Sequence, residues 1–499
     1  MTRFDFDTLT SRTVARPGTP MLAAVAAILI ATVLALIAVD SPVLALLTAA
    51  GGVLAVAFAF SPDLATMVVV ALIYSNAVVV AMRFHEVPGF IGAAVPFLLL
   101  IPLANAVLAE QRPVVLPSAA PWLLGFLAVQ VVSALLASET KIAWESVTQF
   151  VLEGLTLFFI AVNVVRTPKL LQRLVWVLLV VGATLGLLSA HQTITKRYDH
   201  TYLGFAQADI VGTQKFIDQT GLVMPSDPRP PRLGGPFGEP NRYAQIMAAL
   251  FPLGMLRLVR GRSLLARLTA LSATALIAVP IAFTFSRGAA VGIALSIIAA
   301  LLLRYVRLRE IAVLVVAFAV FIMAVPGYRE RLQTITTVSS VLTDSPSGEV
   351  ADGAIQGRLG EQVAALRILA DHPLVGVGPG LYALNYRDYA MGSGFKVRLG
   401  PRQAHNLLLD IASETGILGL ACFLGAVAVT VRDLTRTRRR LLTTDPELAS
   451  LVTSVALAIL VYLGTSVFLQ LSYIRYFWLW LALGAAASRM GLSTAGAER

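Results

Sequence analysis

The chain has 499 residues, 57% of them hydrophobic and 13% charged, with a mean hydropathy of +0.79 and a formal net charge of +11. That much apolar surface at so low a charge density excludes a water-soluble fold, and the expected class is an all-α polytopic membrane protein. A single cysteine, Cys422, excludes an intrachain disulfide and a cysteine-based metal site.

The first twenty residues are polar, carry Arg3, Arg12 and Arg16 and show no cleavage-like site, so the first apolar run is expected to stay as an anchor. Runs long enough to span a bilayer follow at about 21–39, 43–60, 64–82, 90–108, 121–138, 148–165, 170–190, 242–259, 266–284, 288–304, 309–326, 407–431, 451–470 and 474–489. The spacing therefore predicts about 12–14 transmembrane helices; the lower figure allows for the second and third runs forming one re-entrant pair.

Charge sets the expected sidedness. With the N-terminus in the cytoplasm, the inner segments hold Arg112; Arg166, Lys169 and Arg173; Arg257, Arg260, Arg262 and Arg267; Arg304, Arg307 and Arg309; and Arg432, Arg436, Arg438, Arg439 and Arg440. The short outer loops hold only Arg83, Lys141, Arg287 and Arg475. This positive-inside bias predicts that both termini are cytoplasmic. It also accounts for the net charge without nucleic acid as a partner; the expected surroundings are a lipid bilayer, which the family resemblance given below implies is the bacterial cytoplasmic (inner) membrane.

Two long polar segments, 191–241 and 327–406, then fall on the periplasmic or extracellular side. The expected organisation is N-terminal transmembrane helices (1–190), a first extracytoplasmic loop (191–241), transmembrane helices bearing Arg287 (242–326), a larger extracytoplasmic loop (327–406) and C-terminal transmembrane helices (407–499). Long loops on one face of a helical bundle are where function concentrates. The larger one contains an amphipathic pattern, "GRLGEQVAALRILADHPL", with Leu359, Val363, Leu366 and Ala370 at helical spacing. That helix is expected to lie on the membrane surface or cap a cavity. "HPLVGVGPG" ends it with Pro373, Gly376, Gly378, Pro379 and Gly380.

The residues able to do chemistry sit beside the membrane on that outer side. Arg287, in "FTFSRGAAVG", stands where one span ends and the next begins. Two readings stand: a snorkelling side chain, or an intramembrane charge serving a ligand. Arg358, between Gly357 and Gly360, reads alone as a solvated loop arginine. Arg232 lies in "RPPRLGGPFGEPNRYAQ", followed by Glu239 and Asn241, with glycines that either make a turn or let backbone N–H groups approach an anion.

His405 is the sharpest candidate. It is one of five histidines, it stands at the outer mouth of a span, and imidazole exchanges protons near neutrality. Asn406, Asp410 and Glu414 follow at intervals of four, a polar stripe that lipid would reject. Polar helix packing explains the two acids about as well as function does. Glu414, nine residues on, projects to roughly the opposite side from His405 and is not its expected partner. Other motifs fail on context. "DFD" at Asp5–Asp7 reads as solvated tail, and "GVGPG" lacks the strand, helix and Lys-Ser/Thr of a phosphate loop. No His/Asp/Glu cluster on the outer side has metal spacing, so no metal is expected.

Taken together, "SRGA" (286–289), "DHPLVGVGPG" (371–380) and "HNLLLDIASETGILGL" (405–420) resemble the O-antigen ligase and polymerase superfamily, and "RLGGPFGEPNRYAQ" (232–245) resembles its segment before an earlier span. The resemblance covers about 230–431. It implies a GT-C-type membrane glycosyltransferase with no cofactor. The donor would be a glycan on polyprenyl diphosphate (undecaprenyl or decaprenyl), and the acceptor a hydroxyl of a lipid, glycan or protein. Arg287 and Arg358 would hold the diphosphate and His405 would accept the proton of the acceptor hydroxyl or orient it, with inversion at the anomeric carbon. Arg232, Asn406 and Glu414 would be second-tier contacts to substrate or to the helix carrying the histidine, and Asn241 a further substrate-binding residue. A surface polysaccharide polymerase fits the same motifs. A lipid-linked glycan flippase fits the span count, but the one-sided polar residues favour an enzyme.

Overall fold

The computed structural model describes residues 61–89, 92, 95–209, 216–217, 223–224, 231–261, 263–306, 349–391, 402–469 and 474–493. The runs expected to span at 21–39, 43–60 and 309–326 lie outside the described residues. Helices dominate: α1 (Pro62–Tyr74), α2 (Ala77–Phe84), α3 (Val95–Ala109), α4 (Ala120–Leu136), α5 (Thr140–Val164), α6 (Pro168–Thr195), α7 (Pro240–Arg260), α8 (Leu264–Phe283), α9 (Arg287–Leu302), α10 (Glu349–Asp371), α11 (Tyr382–Ala390), α12 (Leu407–Thr444), α13 (Pro446–Ser466) and α14 (Ile474–Ser493). The strands are short: β1 (Gln207–Asp209) pairs antiparallel with β4 (Arg232–Gly235), and β2 (Phe216–Ile217) with β3 (Val223–Met224).

Local chemistry explains the helix starts. Proline occupies the first turn of α1, α6, α7 and α13, where its missing N–H costs nothing. Side-chain caps close the free donors: Thr167 accepts from Leu170 N, Ser263 from Ala266 N, Asp445 from Leu448 N, and Asn406 from Leu408 N and Leu409 N.

Among the described residues, α5, α6, α8, α12 and α13 are long and apolar enough to cross a membrane, and α1 with α2 forms a sixth candidate bent by 56°. The chain is thus all-α and polytopic, as expected. The helices α3, α4 and α9 are apolar but shorter. Residues 475–490 of α14 are buried on nearly every face, so α14 is the central post of the bundle. Around it Phe150, Phe126, Phe423, Phe477 and Trp478 make edge and tilted ring contacts with centroids 4.9–6.3 Å apart. Small residues set the closest approaches: a Cβ on Gly186 would lie 2.1 Å from Leu276 O, and one on Gly254 2.0 Å from Thr274 Oγ1. In lipid such close backbone contact replaces the hydrophobic drive of water.

The bundle has two chemically different ends. Arg242, Arg287 and His405 stand at the N-terminal ends of α7, α9 and α12. The C-terminal ends of α7 and α9 meet the basic second half of α12: Arg260 Nη2 donates to Tyr305 O (2.9 Å) and Arg438 Nη2 to Leu303 O (3.0 Å). The Arg260 and Arg438 guanidinium groups lie 5.2 and 5.8 Å from the Tyr305 ring centre, and Arg257 lies 5.8 Å from that of Trp176.

The run expected to span at 407–431 belongs to a helix of 38 residues. Its part after Gly416, residues 417–444, is alone roughly 42 Å long at 1.5 Å per residue, beyond the ~30 Å hydrocarbon core. Arg432 marks the end of the apolar stretch, not of the helix. The helix is also broken, at Gly416, where φ is 65° and ψ −170°. The loop 373–378 fills the break: Val377 N donates to Ser413 O (3.0 Å), Gly378 N to Glu414 O (3.1 Å) and Ile417 N to Pro373 O (2.8 Å). "HPLVGVGPG" and "ETG" are thus complementary halves of one joint. Broken backbone at membrane depth survives only when protein satisfies it.

Gly416→Ala is expected to cost about 1–3 kcal/mol through backbone conformation alone. The clash adds to this, since the new Cβ would lie 2.2 Å from Leu374 C and O. Thermal unfolding of purified Gly416→Ala should show a clearly lower midpoint; an unchanged midpoint contradicts the joint.

Candidate functional site

Three segments far apart in sequence converge at the N-terminal ends of α7, α9 and α12. The first is β4 with the start of α7. Arg232 Nε donates to Thr284 O (2.9 Å) and its Nη2 to Asn241 Oδ1 (3.0 Å). Asn241 Nδ2 in turn donates to Glu239 Oε1 (3.0 Å), and Glu239 caps α7 by accepting from Asn241 N and Arg242 N. Arg232 therefore ties the strand to the last turn before Arg287. Its guanidinium is held by protein oxygens, which makes it a positioning group in this geometry, and Asn241 is part of the same clamp.

The second segment is the turn between α8 and α9. Phe285 sits at φ 53° and Ser286 caps α9, its Oγ accepting from Ala289 N at 3.5 Å. Arg287 is the first residue of α9, is exposed, and forms no ion pair among the described residues. The turn is short because Phe285 adopts a left-handed conformation, which most side chains resist.

The third segment joins α10 to the mouth of α12. His405, at φ 47°, immediately precedes the cap Asn406. Its Nε2 lies 3.7 Å from Glu361 Oε2; the histidine side chain is 28% exposed and the glutamate 0%. That separation exceeds a hydrogen bond but suits an ion pair once the imidazole is protonated. Arg358 lies one turn before Glu361 on α10 and is exposed. Arg242 Nη2 donates to Gln403 Oε1 at 3.4 Å, which links the first segment to the residues just before His405.

Tyr382, at the start of α11, locks this corner. Its hydroxyl donates to Glu361 O (2.6 Å) and its N–H to Glu414 Oε1 (3.3 Å). Burial, then the neighbouring Glu361 and Asp410 carboxylates, push the Tyr382 phenol well above its ordinary range, so it stays a donor. Glu414 thus caps α11, while its own carbonyl accepts from Ser133 Oγ (2.9 Å) and Gly378 N. Of the expected substrate contacts, Asn406 spends its carbonyl oxygen on capping α12 and Glu414 braces the joint.

Sequence reasoning missed Glu361, Arg242, Gln403 and Tyr382. Glu361 lies at a second helical phase of a segment whose sequence fits two. The helix at 349–371 was expected to be amphipathic with a stripe through Leu359, Val363, Leu366 and Ala370. The buried face instead runs through Glu361, Ala364, Ala365 and Ile368, and Leu359 and Leu366 are exposed. Read at that phase, Glu361 is an acid on the core side of a helix, which requires a partner.

The family model for O-antigen ligase matches residues 246–424, a segment that contains Arg287, Arg358, His405, Asn406 and Glu414. No curated protein matches the chain at a significant level.

Proposed function

From the assignment of residues 246–424 to the O-antigen ligase and polymerase superfamily, we propose that the protein is an inverting membrane glycosyltransferase. It moves a glycan from a polyprenyl-diphosphate carrier to an acceptor hydroxyl on the outer face of the cytoplasmic membrane. The observation that carries this reading is the His405–Glu361 pair at the mouth of α12, with Arg358 one turn before Glu361 on α10 and the Arg287 turn linked to the same end of the bundle through Arg232, Asn241, Arg242 and Gln403.

The acceptor hydroxyl attacks the anomeric carbon, and the bond from that carbon to the diphosphate oxygen breaks. His405 takes the hydroxyl proton, and the buried Glu361 carboxylate stabilises the imidazolium that results. Arg287 and Arg358 receive the negative charge that grows on the departing diphosphate; a planar guanidinium pairs with two phosphate oxygens at once. Arg232, through Thr284, fixes the turn that presents Arg287. Asn406 holds the end of α12 from which His405 projects.

The experiment is incubation of the purified protein in lipid nanodiscs with a chemically defined polyprenyl-diphosphate oligosaccharide and candidate acceptors. Transfer to the separate acceptor identifies a ligase. Elongation of the donor glycan identifies a polymerase. Transbilayer movement of intact donor in vesicles, with no new glycosidic bond in either assay, identifies a flippase and overturns the proposal.

Sidedness has its own test. In a Cys422→Ser background, a cysteine at exposed Asp388 on α11 should react with an impermeant maleimide in intact cells, whereas one at exposed Arg440 should react only after permeabilisation. The reverse pattern would place the proposed site in the cytosol.

A further inference from the structure

At the bundle end opposite His405 lies a cavity of about 290 Å³ lined in part by Asp63, Glu110, Arg112, Arg166, Lys169 and Arg173. Four cationic side chains face two anionic ones there. Arg112 Nε pairs with Glu110 Oε2 (2.7 Å) and Arg173 Nη1 with Asp63 Oδ2 (2.8 Å), which accounts for both acids. Arg166 donates to the neutral Asn163 oxygens, and among the described residues neither it nor Lys169 makes an ion pair. Among the described residues the cations of this cavity outnumber the acids by two. Burial, then the nearby Arg112, lower the Arg166 guanidinium from its ordinary range, and Arg489 of α14 crowds it with a further like charge.

The cavity belongs to the basic end of the bundle. Arg489 follows Ser488, whose carbonyl accepts from Thr437 Oγ1, one residue before Arg438. It also lies where α5 ends and α6 begins, both of them candidate membrane spans, which sets it at headgroup depth. The cavity wall includes Pro102, Ala106 and Val164, and beside it Leu108, Val114 and Leu116 are 60–70% exposed. A phosphate with apolar chains attached matches both features, whereas a free phosphate matches only the first.

We propose that this cavity binds the phosphate headgroup of an anionic phospholipid, with Arg166 and Lys169 as its main ligands. The site is distinct from the His405 end and stands whether or not the glycosyltransferase reading does.

The test is native mass spectrometry of the full chain with phosphatidylglycerol and phosphatidylcholine of matched acyl chains, repeated with millimolar inorganic phosphate. Phosphatidylglycerol should be retained preferentially, inorganic phosphate should not displace it, and Arg166→Gln/Lys169→Gln should weaken retention about fivefold or more. Arg439→Gln/Arg440→Gln, which removes the same charge at the same end outside the cavity, should leave retention unchanged. Equal retention of the two lipids, equal loss in the control pair, or displacement by inorganic phosphate overturns the proposal. Melting midpoints in phosphatidylcholine alone, expected to match the parent, exclude misfolding as the cause of any loss.

Discussion

Replacing His405 with alanine is expected to slow glycan transfer by about 10²–10⁴-fold, the range of a lost general base, while the protein still inserts and folds. The side chain is partly exposed, and the cap of α12 is supplied by Asn406, not by the histidine. One structural cost is foreseeable: residue 405 has φ 47°, and alanine in that region costs roughly 1–2 kcal/mol. Asparagine tolerates left-handed backbone better. His405→Asn therefore keeps the turn while removing the base, and both variants should fail to transfer.

Glu361→Gln adds a reading that a merely structural role would not move. Removing the carboxylate makes imidazolium harder to form, so the histidine pKa falls. The acid limb of the pH–rate profile should then shift to lower pH, and the plateau should drop. An unshifted limb with an intact fold assigns Glu361 to packing alone. Full transfer by His405→Asn removes the base altogether.

Much of this was legible in the sequence because its signals are local. Proline at the first turn and Ser, Thr, Asn or Asp caps announce where α6, α8, α12 and α13 begin, and the apolar runs announce their bodies. His405 was legible for the same reason: a titratable ring at the edge of a long apolar run conflicts with its surroundings. What was hidden depends on pairing between distant segments. The break at Gly416 cannot be read from "ETG" alone, because the left-handed residue is tolerable only when 373–378 supplies the missing hydrogen bonds. Glu361 was hidden because two helical phases fit the same segment, and only tertiary packing chose the one that buries an acid. The continuation of α12 to Thr444 was hidden because arginines end an apolar span without ending a helix. The bonds from Arg232 to Thr284 and Asn241, and from Asn241 to Glu239, also join distant segments and could not be read from the local sequence.

Arg287→Lys is expected to lower kcat by about 10²–10³-fold, comparable with losing one pre-aimed donor to a developing anion, with little change in donor KM. The argument turns on what holds the side chain. Ser286 caps α9, and Arg232 grips the Thr284 carbonyl, so the backbone of the turn is fixed before substrate arrives. The guanidinium itself is exposed and in no ion pair among the described residues. A snorkelling arginine needs only to reach the interface, and lysine does that equally well. A diphosphate clamp needs a planar fork whose charge meets two oxygens as the sugar leaves, and an ammonium on a flexible stem does not reproduce it. The two roles therefore part on a substitution that preserves charge and reach. Since the fork matters most when charge accumulates on the leaving group, the loss belongs in kcat. A lysine variant that transfers at the parent rate reduces Arg287 to an anchor and leaves Arg358 alone to carry the diphosphate.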